Sequence, residues 1–417
     1  MSAQPTEWKM FRRIVVLAVV LGCAAAILLT AYERHDLTVG GDSAPALATA
    51  PQPRDIGIPA LGMDYVAPNS YFRACPDWTW LETRCFDPSR PPPASAGEPG
   101  LTVLRSDLHF VRTAGLGRFM RVWASANQLF RIGDQGQFLG LRSARMRNLD
   151  RALAVFHRDH LEVDLVMFTY TKGGHTMNQF NPQAIDGNHA FLRFSYLRGL
   201  RQIIRHLADN RIDAATVKVI DLQNEAYYQL EQYFDTPSHL GLFGDCLAGD
   251  GDVSSHCVDQ RIIHHWLIAL YRTARLASRH FLYTISDTGR LLSTNPAQQS
   301  YWMHMYPVDV YDIHLYDNRP WLDEARLATA LHLRKPWFSG EAGCASGDAG
   351  CTYSGTESEP VDRWWLLNVG FRAQSVMIES KDTLWYYRYA NPSQTLTDTG
   401  LALECQARPE LTRCGRL

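Results

Sequence analysis

What this chain lacks narrows it before any motif is considered. Its 417 residues carry a formal net charge of only −2, so nothing electrostatic points to a nucleic-acid partner. Nowhere do two cysteines stand at Cys-x-x-Cys spacing, which removes a zinc knuckle or a dithiol redox centre. No Gly-x-Gly-x-x-Gly turn is present, which argues against a dinucleotide-binding open sheet. No internal repeat marks a solenoid or a propeller. No metal cluster is evident and no cofactor is expected. Protein partners are not readable from the sequence.

What is present begins with one long uncharged run. Lys9, Arg12 and Arg13 precede Ile14 to Tyr32, and Glu33, Arg34, His35 and Asp36 close it. The run meets the roughly 18 to 20 residues that a bilayer-crossing helix needs and exceeds the roughly 7 to 15 of a cleaved signal. An uncleaved anchor is expected over 14–32, with residues 1–13 in the cytoplasm and everything after it across the membrane. Val20-Leu-Gly-Cys23 resembles a lipoprotein processing site, but apolar residues continue well past Cys23. Residues 33–54, rich in Ala, Pro, Gly and Thr between Thr38 and Pro53, read as a flexible tether.

The cysteines agree with that topology. Of nine, Cys23 lies in the apolar run and the others fall into near neighbours: Cys75 with Cys85, Cys246 with Cys257, Cys344 with Cys351, and Cys405 with Cys414. Four local disulfide loops are the simplest pairing, and they imply an oxidising compartment, the periplasm or the cell exterior.

Residues 55–390 read as one large domain, because a (β/α)8 barrel usually takes about 250 residues and can exceed 400 with insertions. Residues 391–417 are a C-terminal extension. Strand-like runs recur at Ile58–Tyr65, Arg118–Trp123, Val163–Tyr170, Val217 onward to Asn224-Glu225, Phe281–Ile285, Val308–Leu315, Pro336–Ser339 and Ser375–Glu379. Helical patterns separate them at Leu101–Thr113, Met146–Asp159, His189–Asp209, Ile262–Ser278, Asp323–Leu333 and Asp362–Gly370, with a long excursion from Tyr227 to Asp259. This alternation predicts a closed parallel (β/α)8 barrel with long loop insertions.

Two of these strands end in a glutamate. Val217-Lys-Val-Ile-Asp-Leu-Gln-Asn-Glu225 closes the fourth, and Lys335-Pro-Trp-Phe-Ser-Gly-Glu341 closes the seventh. Residues at C-terminal strand ends face the end of a barrel where its chemistry sits, so the two carboxyl groups form a candidate acid and nucleophile pair. The pattern resembles the clan of retaining glycoside hydrolases whose acid/base and nucleophile follow strands four and seven, the group that includes the cellulase-like family. The likeness rests on short strand-end motifs: Asn224-Glu225 after strand four, Asp312-Ile-His314-Leu-Tyr316 after strand six, Arg121 of Phe119-Met-Arg-Val-Trp123 in strand two, and Trp385 near strand eight. One departure is that strand three ends Phe168-Thr-Tyr-Thr171, where cellulase-like members often carry a histidine.

The resemblance implies Glu225 as acid and Glu341 as nucleophile of a membrane-anchored enzyme acting on a poly- or oligosaccharide. Glu225 has to hold its proton, for which burial beside Tyr227 is the expected means. Arg121 and a hydrogen bond from Tyr316 would keep Glu341 ionised, and Asn224 would donate to the sugar 2-hydroxyl. His314 either touches the sugar or sits hydrogen-bonded behind the site. Trp123, Tyr170, Tyr227, Trp337 and Trp385 are candidate platforms for the apolar faces of sugar rings. Asp221, Asp287, Asp312 and Asp317 read as solvated or hydrogen-bonded orienting groups, and Trp364 and Trp365 as core. Two other functions fit the same residues: a carbohydrate-binding scaffold without turnover, and a transglycosylase.

Overall fold

The computed structural model describes residues 57, 59, 61–65, 100–114, 117–170, 180–185, 189–234, 255–316, 329–343 and 376–379. Within them run the parallel strands β1 (Leu61–Asp64), β2 (Phe119–Trp123), β3 (Glu162–Val166), β4 (Val217–Asp221), β5 (Leu282–Thr284, resumed at Ser286–Asp287), β6 (Tyr311–Ile313, resumed at Leu315–Tyr316), β7 (Trp337–Gly343) and β8 (Val376–Glu379). Each strand pairs with the next, and β8 returns to β1 with Val376 opposite Leu61. The seam between β5 and β6 is closed by Ser286 opposite Asp312 and Asp287 opposite Ile313. A parallel sheet paired all the way round has no free edge, and this one is a (β/α)8 barrel. The helices between successive strands are α1 (Gly100–Ala114), α2 (Ser143–Arg158), α3 (Ala190–Asp209), α4 (Ser255–Ala277) and α5 (Pro296–Met305).

Alternation along each strand sorts two populations of side chain. Met120 and Val122 of β2, Val163 and Leu165 of β3, Ile220 of β4, and Tyr311 and Ile313 of β6 join the main core with Leu108, Leu149, Phe156, Leu200 and Ile203 of the helices. Residues of the opposite parity point into the barrel. Phe119, Val219, Val310 and Phe338 form a separate buried cluster there, with the rings of Phe119 and Phe338 edge to face at 5.8 Å. Two residues further along the strands, the interior changes from apolar to charged: Arg121, Asp164, Asp221 and Asp312 are all fully buried. The apolar layer therefore forms a dry floor beneath a polar layer, and the strand ends rise above both.

Several boundaries differ from the sequence pattern. β3 ends at Val166 rather than Tyr170, although the Met167 N–H still donates to the Asp221 carbonyl and the Phe168 carbonyl accepts from the Asn224 N–H. Between β2 and α2 stand a short helix, Ala126–Leu129, and an antiparallel hairpin of Phe130–Ile132 with Phe138–Leu141. A short helix, Arg211–Thr216, leads into β4, with Asn210 Oδ1 capping it through the Ile212 N–H at 3.1 Å. The long excursion after Tyr227 holds the helix Ala226–Glu231, and α4 begins inside it at Ser255. Among the described residues no helix is long and apolar enough to cross a membrane. The 14–32 run, the tether, Asp317, Trp364, Trp365, Trp385, the extension 391–417 and the four cysteine pairs lie outside those residues, except that the backbone of Cys257 falls in α4.

Candidate active site

The polar layer is organised by one cation. Arg121, in the middle of β2, is fully buried. Its Nη1 donates to Asp164 Oδ2 at 2.6 Å and to Asp312 Oδ2 at 2.8 Å. Nη2 donates to Asp221 Oδ2 at 2.7 Å and to Asn224 Oδ1 at 2.8 Å. The third nitrogen, Nε, faces Glu341 Oε1 at 3.4 Å. A guanidinium is the side chain suited to this, because its planar fork can serve several oxygens at once and it stays charged when buried. Burial alone would lower its pKa, yet the surrounding carboxylates of Asp312, Asp164, Asp221 and Glu341 raise it well above the ordinary value.

Three aspartates round one arginine leave an excess of negative charge. Asp164 takes up part of that excess. Burial is the largest influence on it, and together with the nearby Asp312 and Asp221 carboxylates it outweighs Arg121, lifting the Asp164 pKa well above the usual range. Asp221, Asp287 and Asp312 are not solvated. Asp221 and Asp312 bind Arg121, while Asp287 accepts from the Tyr306 hydroxyl at 2.6 Å and from the Gly289 and Leu291 N–H groups. Solvent reaches none of the three.

Above this layer β4 delivers Asn224 and Glu225. Asn224 Oδ1 is occupied by Arg121 and by the Ser286 hydroxyl at 3.2 Å, which makes Nδ2 the donating end of the amide. Glu225 has φ of 41°, a left-handed backbone that costs a non-glycine residue about 1–3 kcal/mol and is commonly held at functional sites. Its N–H is fixed by Ser286 Oγ at 2.8 Å, so the resumed part of β5 pins the turn. From the other side β7 brings Glu341 within an irregular stretch of its pairing with β8, where the register shifts between Ser339 and Ala342.

His314, at the break in β6, joins the two. Its Nδ1 lies 3.1 Å from Glu225 Oε1 and 3.3 Å from Glu341 Oε2, and its Nε2 lies 3.8 Å from Asp312 Oδ2. Burial would lower the ring's pKa, but the Glu341 carboxylate, the nearby Asp312 and the hydrogen bond with Glu225 raise it well above the ordinary value. Its side chain is fully buried, with Nδ1 set between the two carboxylates. One carboxylate oxygen from each glutamate and a His314 nitrogen all lie within 4.8 Å of one another. That spacing would also admit a divalent cation, a use that the sequence pattern did not show.

The aromatic candidates separate. Trp123 ends β2 half-buried, with the Arg121 guanidinium 5.7 Å from its ring centroid. Tyr170 is half-buried and edge-on to Tyr233 at 6.4 Å, in a loop held by Gln229 Oε1, which accepts from the Tyr170 N–H at 2.8 Å. Tyr227 is not a sugar platform and does not enclose Glu225. It is fully buried among Trp302 and Tyr306, with its hydroxyl on the Met305 carbonyl, because the helix starting at Ala226 turns it back into the core. Trp337 opens β7 at the end remote from Glu341 and pairs with Tyr311, so it too is core. Tyr316 is described in its backbone alone, opposite Gly343. Sequence reasoning missed Ser286 and Asp164. A serine in a short strand gives no signal, but Asp164 inside Glu162-Val-Asp-Leu-Val166 is a charge in a buried strand and could have been singled out.

No family model matches the chain, and no curated protein sequence matches it. Solved structures do. A β-1,4-mannanase from the sea hare Aplysia kurodai aligns over 82% of this chain and 91% of its own, at 12% identity and a TM-score of 0.51. An exo-β-1,4-mannosidase from Opitutaceae bacterium strain TAV5 aligns over 89% of this chain and 63% of its own, at 13% identity and a TM-score of 0.52. At such identities the likeness is one of fold, and the barrel of this chain is built like those of these two enzymes.

Proposed function

We propose that this protein is a retaining glycoside hydrolase acting on a poly- or oligosaccharide by double displacement. The observation that carries the reading is the closeness of the two strand-end carboxylates, which share His314 Nδ1 at 3.1 Å from Glu225 Oε1 and 3.3 Å from Glu341 Oε2. Retaining enzymes hold their carboxyl groups about 5 to 5.5 Å apart, whereas inverting ones need about 6.5 to 9.5 Å to seat a water between carboxylate and sugar. A Glu341 oxygen attacks the anomeric carbon while Glu225 gives its proton to the departing glycosidic oxygen, and the carbon–oxygen bond breaks to leave a glycosyl ester on Glu341. Glu225, now a carboxylate, takes a proton from water, whose oxygen displaces Glu341 and restores the starting configuration. Arg121 and His314 act through Glu341 by fixing its two oxygens. Asn224 Nδ2 donates to the sugar hydroxyl beside the anomeric carbon.

The names of the two aligned structures make β-1,4-linked mannan and its oligosaccharides the first substrates to offer. In this reading the 14–32 run tethers the barrel on the periplasmic or outer side of the membrane, where a polysaccharide under export would pass it. The test is kinetic and stereochemical. Glu341→Ala should abolish turnover on every glycoside. Glu225→Ala should keep activity on substrates with good leaving groups, and azide should accelerate its second step by attacking the glycosyl ester. An inverted product in an NMR time course, or a Glu341→Ala protein that turns over normally, removes double displacement at this pair. Glycan binding without turnover would favour the scaffold reading, and sugar transfer to an added acceptor the transglycosylase.

A further inference from the structure

A second group of titratable side chains lies at the other end of β4, where the helical layer leads into the strand. Asp150 of α2, His206 in the last turn of α3 and Asp213 of the short helix Arg211–Thr216 each offer one ligand atom, and these atoms lie within 4.8 Å of one another. His206 Nε2 is 2.8 Å from Asp150 Oδ1. Asp213 is the residue that needs explaining. It is fully buried, and neither of its carboxylate oxygens receives a hydrogen bond from a backbone or cationic donor. Its neighbours in the cluster are the Asp150 carboxyl and the His206 imidazole. Two carboxylates in contact repel and a buried carboxylate without donors is costly; His206 offsets part of this through Asp150, and a cation bound by all three would give the Asp213 oxygens a partner.

We propose that Asp150, His206 and Asp213 form a binding site for a divalent cation that ties α2, α3 and the entry to β4 together. One imidazole nitrogen and two carboxylates from three different helices are a donor set for Zn²⁺ first and Mn²⁺ second, with the remaining position left to water. Two ligands at about 2.0 Å from a tetrahedral ion stand about 3.3 Å apart, so Asp150 and His206 must open slightly to admit it. Both can, since their side chains are 24% and 34% exposed while Asp213 is held inside. Asp213 precedes β4 and Glu225 follows it, which places the ion at the end of the strand away from the paired glutamates. Its role is to hold the helices, and it is independent of the glycosidase reading.

The experiment uses the untagged full-length protein, stripped of metal by a chelator and titrated calorimetrically with ZnCl2 and with MnCl2, with the thermal midpoint followed in parallel. Wild type should bind one equivalent of Zn²⁺ tightly and its midpoint should rise by several degrees. His206→Gln and Asp150→Asn, both at partly exposed positions, should each weaken that binding at least tenfold and abolish most of the rise. Glu341→Ala should leave both intact. Binding that survives His206→Gln but disappears in Glu341→Ala would place the ion at the paired glutamates and overturn the proposal. So would an absence of binding up to millimolar Zn²⁺, or a midpoint that responds to pH alone, which would mean that the two aspartates share only a proton.

Discussion

Asp164 in the polar layer and His314 above it hold protons for different reasons, and the consequence for stability has one sign. An aspartate unfolded in water titrates near 3.9 and a histidine near 6.5. In the folded chain burial raises Asp164 well above its value, and carboxylate neighbours outweigh burial to raise His314 well above its own. Each folded form thus binds a proton that the unfolded chain has lost over part of the pH range, so stability falls as pH rises through that range. For Asp164 the loss starts above about 4 and for His314 above about 6.5. The thermal midpoint should be higher at pH 5 than at pH 8. Asp164→Asn, which keeps an oxygen for Arg121 but cannot lose a proton, should flatten the lower part of the slope. His314→Gln should flatten the upper part. A midpoint that climbs from pH 5 to pH 8 in the wild type would show that these two protons are not held.

Strands β6 and β7 are clamped by one contact that depends on a missing side chain. The Gly340 N–H donates to Asp312 Oδ1 at 2.7 Å, and a Cβ at Gly340 would lie 2.3 and 2.4 Å from the two Asp312 oxygens. Any larger residue must push Asp312 away from Gly340 and from Arg121, and so release the backbone that carries Glu341. Displacement of a reacting group by about 1 Å can cost about 10²-fold in rate. Gly340→Ala should therefore lower kcat by about that factor on a glycoside substrate with KM little changed, while also lowering the thermal midpoint. Full activity in that variant would mean that the clamp does not position the nucleophile. That Glu225 and Glu341 come together was legible because each closes a β-branched or apolar run of the kind that marks a buried parallel strand. The hairpin at 130–141 was not, since three- and four-residue strands are too short to show a period. Tyr227 was misplaced for a related reason: as a strand extension it would reach the mouth, but Glu225 turns the chain at once into a helix. Each helical residue rotates about 100° from the last, which buries Tyr227 and leaves Tyr228 36% exposed.

At the scale of the whole molecule the closed barrel explains how a site built from several strands is held in register. Pairing that runs round from β8 to β1 leaves no edge to slip, so the register of β2, β4, β6 and β7 is common to all, and Arg121 locks the polar layer at its centre. Where such a domain works depends on the segment before it. In the topology proposed above, the uncharged run Ile14–Tyr32, preceded by Lys9, Arg12 and Arg13, would hold the N-terminus in the cytoplasm and send the barrel across. The same proposal pairs the near-neighbour cysteines as disulfides, which persist in oxidising compartments. The full-length protein should stay in the membrane fraction after an alkaline carbonate wash, and protease added from the non-cytoplasmic side should reach the barrel. Peptide mapping without reductant should recover Cys75 joined to Cys85 and Cys405 joined to Cys414, each closed loop contributing about 2 to 3 kcal/mol. Recovery of a soluble form that begins near Ala50 would replace the anchor with a cleaved leader, while the cysteine pairs alone would still place the barrel outside the cytoplasm.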